Sequence, residues 1–498
     1  MRLLTLFSLF AAGAAHAALE LPALFSDHAV LQRDQTVPVW GWATPGQEMT
    51  VAVAGQTGKA TADAAGKWRV DLSKLDAQGP QTLTVTAGQE TKTIQDVLIG
   101  EVWLGSGQSN MAMQVSRAKD YEKEQAAANF PQVRMFVEKS GASPTAKDRA
   151  TGTWVVCTPE TVGAFSATAY FFGREIHQAL QVPVGLINSS VGGTPIESWI
   201  AADVQKAQPE LKGFFAGQER LNKAFDPVQA KAVYEKQLAA YKGAAKKAKA
   251  EGKPAPRAPR DPIATRERKG DIGGLFNGKI APLIPYAIRG ALWYQGEANS
   301  VPEKAPFYQH HLALLAKDWR ARWGYEFPIA WVQLPNYKSS RGEGWMRVRE
   351  GEMKAVQSVP HSGMAVTLDI GDEKDIHPKN KQEVGRRLAL WALGSIYGKE
   401  AFSLPLPVKH EVKDGAVVVT LSEACLYKSN SAETGFVVAG ADKAWHPAKV
   451  TLKGKTLVIS SKDVTEPVAA RYAWEEMPAV TLWNKQGVPV TQFRTDDW

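Results

Sequence analysis

A chain of 498 residues is too long for one ordinary domain and calls for two to four. Its composition, 44% hydrophobic and 22% charged, is that of a globular protein with sizeable cores. The net charge of +8 invites a nucleic-acid partner, but residues 205–270 alone carry 16 Lys/Arg against 7 Asp/Glu. No aromatic residue interleaves with the basic ones from Lys246 to Lys269, so this stretch reads as a solvated helix and linker. Neither nucleic acid nor a membrane is expected as a partner.

At the N-terminus Arg2 precedes an apolar run from Leu3 to Phe10 and a small-residue stretch ending Ala15-His16-Ala17. This reads as a secretory signal over 1–17, cut after Ala17. The apolar run is too short to span a bilayer. The expected location is the periplasm or, beyond it, the extracellular space.

Residues 18–95 carry short strand patterns at Val37–Trp40, Val51–Val53, Trp68–Val70 and Leu83–Thr86, punctuated by Pro45-Gly46, Gly55, Gly66 and Gly79-Pro80. That rhythm predicts an N-terminal β-sandwich. From 96 to 402 the pattern changes. Apolar runs at Val97–Leu104, Val184–Asn188, Ile288–Tyr294, Ile329–Leu334 and Met364–Ile370 are short and do not alternate, as expected of parallel strands buried on both faces. Helical patterns lie between them: Phe171, Phe172, Ile176 and Leu180 share one face, as do Val384, Leu388, Trp391 and Ala392. The reading is a doubly wound α/β domain with its ligands at the carboxyl ends of the strands.

The basic stretch, 205–270, interrupts this domain as an insertion or lid. It holds a helix through Val228, Val233, Leu238 and Tyr241 and a Pro-rich tether over Lys253–Asp261. Over 403–498 a β rhythm returns at Val417–Thr420, Phe436–Val438, Val450–Leu452 and Thr456–Ile459, predicting a C-terminal β domain. Cys157 and Cys425 are expected as buried free thiols, although an oxidising compartment would also allow a disulfide. His310-His311 fall in a helical pattern that points them apart, which argues against a metal site there.

Four segments follow predicted parallel strands and carry polar groups suited to acyl transfer. Gly107-Gln108-Ser109-Asn110-Met111 supplies a serine at a strand end, without the second glycine of a Gly-x-Ser-x-Gly elbow. Gly192-Gly193-Thr194 allows close backbone approach to a ligand. Trp293-Tyr294-Gln295-Gly296-Glu297-Ala298-Asn299 crowds three polar side chains at one strand end, where an amide suits a developing oxyanion. Asp372-Glu373-Lys374-Asp375-Ile376-His377-Pro378 offers a histidine with a carboxylate two residues before it, and Pro378 suits the first turn of the helix that follows.

Together these four blocks resemble the SGNH hydrolases, and more narrowly the sialate O-acetylesterase-like branch. Leu24–Gln32 near the start, and Arg471-Tyr472-Ala473-Trp474 with Phe493–Trp498 at the end, are also similar to that branch. The resemblance implies a flavodoxin-like α/β/α domain and a serine esterase that removes O-acetyl groups from carbohydrate without a metal or other cofactor. It assigns Ser109 as nucleophile, His377 as general base and Asp375 as the acid. The oxyanion donors would be the Ser109 and Gly193 N–H groups and the Gln295 side-chain amide. Many SGNH enzymes place the acid three residues before the histidine, where this chain has Lys374, so Asp372 and Glu297 stay open as alternatives. Gln108, Asn110, Asn277 and Glu297 are candidate substrate contacts. Trp103, Trp199, Trp293 and Trp345 are candidates either for stacking on sugar or for the core. The implied partner is an acetylated sugar, either O-acetylated sialic acid or a plant polysaccharide such as xylan or xyloglucan. The oligomeric state is left open. Two other readings remain at this point: a binding-only protein with a dead hydrolase domain, and an SGNH lipase or thioesterase.

Overall fold

The computed structural model describes residues 18–269, 271–399, 401–428 and 434–498; the expected signal segment, 1–17, lies outside them. Its backbone is organised by one long strand, β1 (Glu90–Gly107). The first half of β1 pairs antiparallel with Gln81–Ala87, in a sheet that also holds Glu48–Val53 and Gln56–Thr61. Val37–Trp42 and Lys67–Leu72 form a second, two-stranded sheet. A Cβ added at Gly58 would meet Val70 and Leu72, so the two sheets face each other across a small sandwich core. The second half of β1 is the middle of a parallel sheet. A single strand therefore runs through position 95/96, where the sequence places a domain boundary.

The parallel sheet adds β2 (Phe130–Val137), β3 (Trp154–Cys157), β4 (Val184–Ser190), β5 (Gly290–Tyr294), β6 (Ile329–Val332) and β7 (Ser362–Ala365). The spatial order is β7-β6-β5-β1-β4-β2-β3, all parallel except β3. The chain first builds the β4/β2 side of β1 and then crosses to β5, so β1 lies at the switch point, where such sheets open a crevice at the strand ends.

Alternate residues of β1 feed two cores. Val102 and Leu104 pack with Trp293, Trp331 and Trp319 on one face, whereas Trp103 packs with Phe171, Phe172 and Trp391 on the other. The first face is covered by α4 (Tyr308–Trp323) and α5 (Glu343–Ser358), and the second by α2 (Ala167–Leu180) and α6 (Lys381–Ser395). Burying each large apolar side chain contributes roughly 1.5–3 kcal/mol, which is why the unalternating runs become central strands. Trp103, Trp199, Trp293 and Trp345 are all fully buried, so these four are core and not sugar platforms.

The structure departs from the sequence pattern in three places. Strands β2 and β3 have no clear apolar signature: β2 contains Pro131, Gln132 and Arg134, and Arg134 is buried against Asp96, to which it is ion-paired at 2.9 Å. The run Met364–Ile370 stays extended only to Ala365; Asp369 then turns away to pair with Arg387 at 2.7 Å. Helix α6 begins at Lys381, capped by Asn380, so Pro378 precedes the helix instead of sitting in its first turn.

Over its described residues the basic stretch is largely helical, apart from the Pro-rich tether. Its main element, α3 (Pro227–Ala250), has no buried residue, and Val228 is 78% exposed. The described C-terminal residues form two four-stranded antiparallel sheets and a short two-stranded one. Cys157 and Cys425 are buried and unpaired. Among the described residues no helix is long and apolar enough to cross a membrane.

Candidate active site

Strand β1 ends at Gly107, whose φ is +132°; a Cβ there would lie 2.2 Å from the Tyr294 carbonyl oxygen. Only glycine lets β1 run this close to the end of β5. The chain then enters α1 (Ser109–Ala112), a single turn tied down at its far end. Ser166 Oγ donates to the Met111 carbonyl at 2.6 Å and Thr168 Oγ1 to the Asn110 carbonyl at 3.3 Å. Ser109 is thereby fixed at the carboxyl edge of the sheet. Its N–H opens a helix and has no acceptor within it.

The neighbouring strand delivers Val191–Thr194. Val191 N–H donates to the Gly107 carbonyl at 3.1 Å, and a Cβ on Gly192 would come within 3.4 Å of Ser109 Cβ. Gly193 follows in the left-handed region at φ +73°. Gly192 therefore packs directly beside the serine.

From the other side the loop after β7 brings His377, whose Nε2 is 2.8 Å from Ser109 Oγ. Nε2 accepts the serine proton only in the tautomer that carries its hydrogen on Nδ1. On that side Asp375 Oδ1 is 3.6 Å from Nδ1, beyond a direct hydrogen bond, and accepts the His377 backbone N–H at 2.9 Å. Asp375 is therefore the carboxylate nearest the imidazole, but it is half-exposed. Asp372 instead builds the loop, accepting the N–H groups of Lys374 and Asp375 at 2.8 and 3.0 Å. Burial holds the His377 imidazole below its ordinary pKa of 6.5; Asp375 pulls upward, while the charges of Lys381 and Arg117 push further down.

Beneath this pair lies a floor of buried amides. Gln295 Nε2 has three acceptors: Asn299 Oδ1 at 2.8 Å, the Thr194 carbonyl at 3.0 Å and Gln108 Oε1 at 3.2 Å. Gln108 Oε1 also accepts the Ala298 N–H at 3.3 Å. Asn110 Nδ2 donates to Glu297 Oε1 at 2.6 Å and to the Ile376 carbonyl at 3.0 Å, while its Oδ1 accepts from Lys381 Nζ at 2.7 Å. Burial raises the pKa of Glu297 and lowers that of Lys381 to about 7.

With this geometry in view, the comparisons with known proteins are specific. The family model of the carbohydrate esterases described as sialic acid-specific acetylesterases matches residues 99–238 and 278–393. The chain belongs to this family. It is 30% identical to the sialate O-acetylesterase of Rattus norvegicus, over 91% of this chain and 89% of that protein. The Homo sapiens sialate O-acetylesterase is 29% identical, over 90% of this chain and 86% of the relative. A carbohydrate acetylesterase from Xanthomonas citri, solved by crystallography, superposes with a TM-score of 0.81 at 34% identity, covering 97% of this chain and all of that one.

The protein is thus an esterase of the sialic acid-specific acetylesterase family, with the α/β fold expected for it. The family match spans Ser109, Gly193, Gln295 and His377 and leaves out residues 239–277, which include the second half of the basic insertion.

Several expected roles need correction within this esterase. Gln295 is fully buried, and the two hydrogens of its amide face three protein acceptors, so it is not poised to receive an oxyanion. Gln108, Asn110 and Glu297 are buried and bonded to one another's loops, which makes them supports of the site and not substrate contacts. Asn277 donates to the Ser143 and Pro144 carbonyls at 3.2 and 3.1 Å and clasps another loop. Glu297 bonds Asn110 and not His377, so it is no rival to Asp375. Lys381 went unnoticed in the sequence. The signal available was a lysine in the first turn of a helix, where the macrodipole disfavours a cation.

Proposed function

We propose that this protein is a serine acetylesterase that removes O-acetyl groups from carbohydrate through an acetyl-enzyme. The observation that carries this reading is the 2.8 Å contact between Ser109 Oγ and His377 Nε2 at the carboxyl edge of the sheet, in a chain of this family. His377 takes the serine proton as Oγ attacks the acetyl carbonyl, and the tetrahedral oxyanion is received by the N–H groups of Ser109 and Gly193. Collapse expels the sugar oxygen, which takes the proton back from His377. Water, deprotonated by the same imidazole, then releases acetate and restores Ser109. Asp375 keeps the Nδ1 proton turned toward itself and favours the imidazolium that forms in each step.

The substrate is an acetylated sugar. Sialate O-acetylesterases among the relatives favour O-acetylated sialic acid, and the carbohydrate acetylesterase among the solved structures supports acetylated carbohydrate more broadly, so acetylated xylan or xyloglucan is the class to compare with it. Acetate release from each, side by side, decides between them; release from neither would overturn the carbohydrate assignment. Export to the periplasm is part of the proposal, supported by the Arg2–Ala17 sequence. N-terminal sequencing of the protein from its native cells should begin at Ala18, and an intact Met1 would contradict it.

A further inference from the structure

Lys381 opens α6 with its ammonium fully buried. Its Nζ donates to Asn110 Oδ1 at 2.7 Å and to the Pro378 carbonyl at 2.8 Å, and lies 5.1 Å from the centre of the Tyr294 ring. These two acceptors flank the reacting pair. Asn110 directly follows Ser109, and Pro378 directly follows His377. Asn110 in turn donates to the carbonyl of Ile376, the residue before His377, at 3.0 Å. One amine and one amide therefore hold both neighbours of His377 to the residue beside Ser109.

Burying a lysine is expensive unless its charge and donors are used. A methionine or leucine of similar volume would fill the same space without that cost. Here the donors join segments 271 residues apart in sequence. We infer that Lys381 is a positioning residue for the hydrolysis: it fastens the His377 segment to the Ser109 turn and sets its ammonium against the residues that flank both groups. This inference rests on the nucleophile and base roles proposed above.

The charges around the pair can be named. Lys381 faces Glu297 from the turn after β5, Asp375 from the His377 loop and Arg117 from the 115–117 turn. His377 faces Asp375, Lys381 and Arg117. Asp375 favours the imidazolium, whereas Lys381 and Arg117 disfavour it. Burial lowers the Lys381 pKa, while Glu297 and Asp375 pull it upward.

The test is Lys381→Met and Lys381→Gln, with active sites counted by fluorophosphonate labelling and kcat and KM measured on an aryl acetate across pH. Lys381→Met should lower kcat per labelled site by about 100-fold while KM stays within about twofold. Its acidic limb of kcat/KM should move to higher pH, because the cation that opposed protonation is gone. Lys381→Gln keeps one donor without the charge, so part of kcat should return while the limb stays displaced. A purely structural lysine would reduce the number of labelled sites and leave the limb of the surviving enzyme in place; that result, or wild-type kcat per site, overturns the inference. Should both variants fail to fold, the His377 imidazole of the wild-type enzyme should titrate below 6.5, and titration at or above 6.5 would overturn the inference. Ser109→Ala separates the two levels: activity surviving there defeats the nucleophile assignment itself, whatever Lys381 does.

Discussion

The floor of the active site and the basic insertion are both rich in polar side chains, and they use them in opposite ways. In the floor Gln108, Asn110, Gln295, Glu297 and Asn299 are buried and tied to named partners from several loops. In the insertion α3 buries nothing, and Lys242, Lys246 and Lys249 stand in solvent. Desolvating a polar group without a partner costs about 1–3 kcal/mol, so buried amides are forced into fixed geometry, whereas exposed lysines are not. The lesson is that polar residues at the strand ends divide into a supporting set, buried and bonded, and a reacting set. Among the described residues Ser109 and His377 are partly exposed and touch each other, and they are the pair proposed to form the second.

Substitutions can break this division, beginning with the largest effect. His377→Ala should reduce kcat on an aryl acetate by on the order of 10⁴-fold or more with the fold intact by circular dichroism. Asn110→Ala should act on both fold and rate. It leaves Lys381 Nζ and Glu297 Oε1 each short of a buried partner, so stability to urea should fall by about 1–3 kcal/mol for each group, along with kcat. Asp375→Asn keeps an acceptor for the His377 N–H but removes a half-exposed charge screened by solvent, so kcat should drop by only about tenfold. Glutamine at 242, 246 and 249 in place of lysine should leave kcat/KM within about twofold and stability within about 0.5 kcal/mol of wild type for each change. A large loss from that last variant would mean that the insertion belongs to the site.

The pH dependence sharpens the same comparison. Because burial lowers the His377 pKa, the base stays neutral to a pH below 6.5, and the acidic limb of kcat/KM should lie below that value. Asp375→Asn removes a charge that favours the imidazolium, so the limb should move lower still. For stability the sign is the same. The unfolded chain takes up the His377 proton first as pH falls, so this group's contribution is complete above 6.5 and is lost as pH drops through that region.

The second half of β1, with β4, β5 and β6, was legible because each is a short apolar run buried on both faces. Strand β2 was hidden because Arg134 is accommodated by Asp96, a pairing 38 residues away that no local pattern reveals. Ser109, Gly193, Asp375 and His377 were legible as turn residues after parallel strands, and the structure brings them to one edge. The direction in which an amide points was not legible: Gln295 and Asn110 lie at the right strand ends but face inward. Lys381 was missed for a related reason. Lysine is ordinarily a surface residue, and only the tertiary packing of α6 against Tyr294 and Asn110 shows it buried.

The central claim is that Ser109 carries the acetyl group between sugar and water. It is tested most directly by acid-quenching the enzyme during turnover of an acetyl ester and locating the bound acetyl group by mass spectrometry of the digested protein. An acetyl increment is expected on the peptide containing Ser109, absent from Ser109→Ala and accumulating when deacylation is slowed. Undiminished acetate release by Ser109→Ala, or an acetyl group trapped on a different residue, would contradict it.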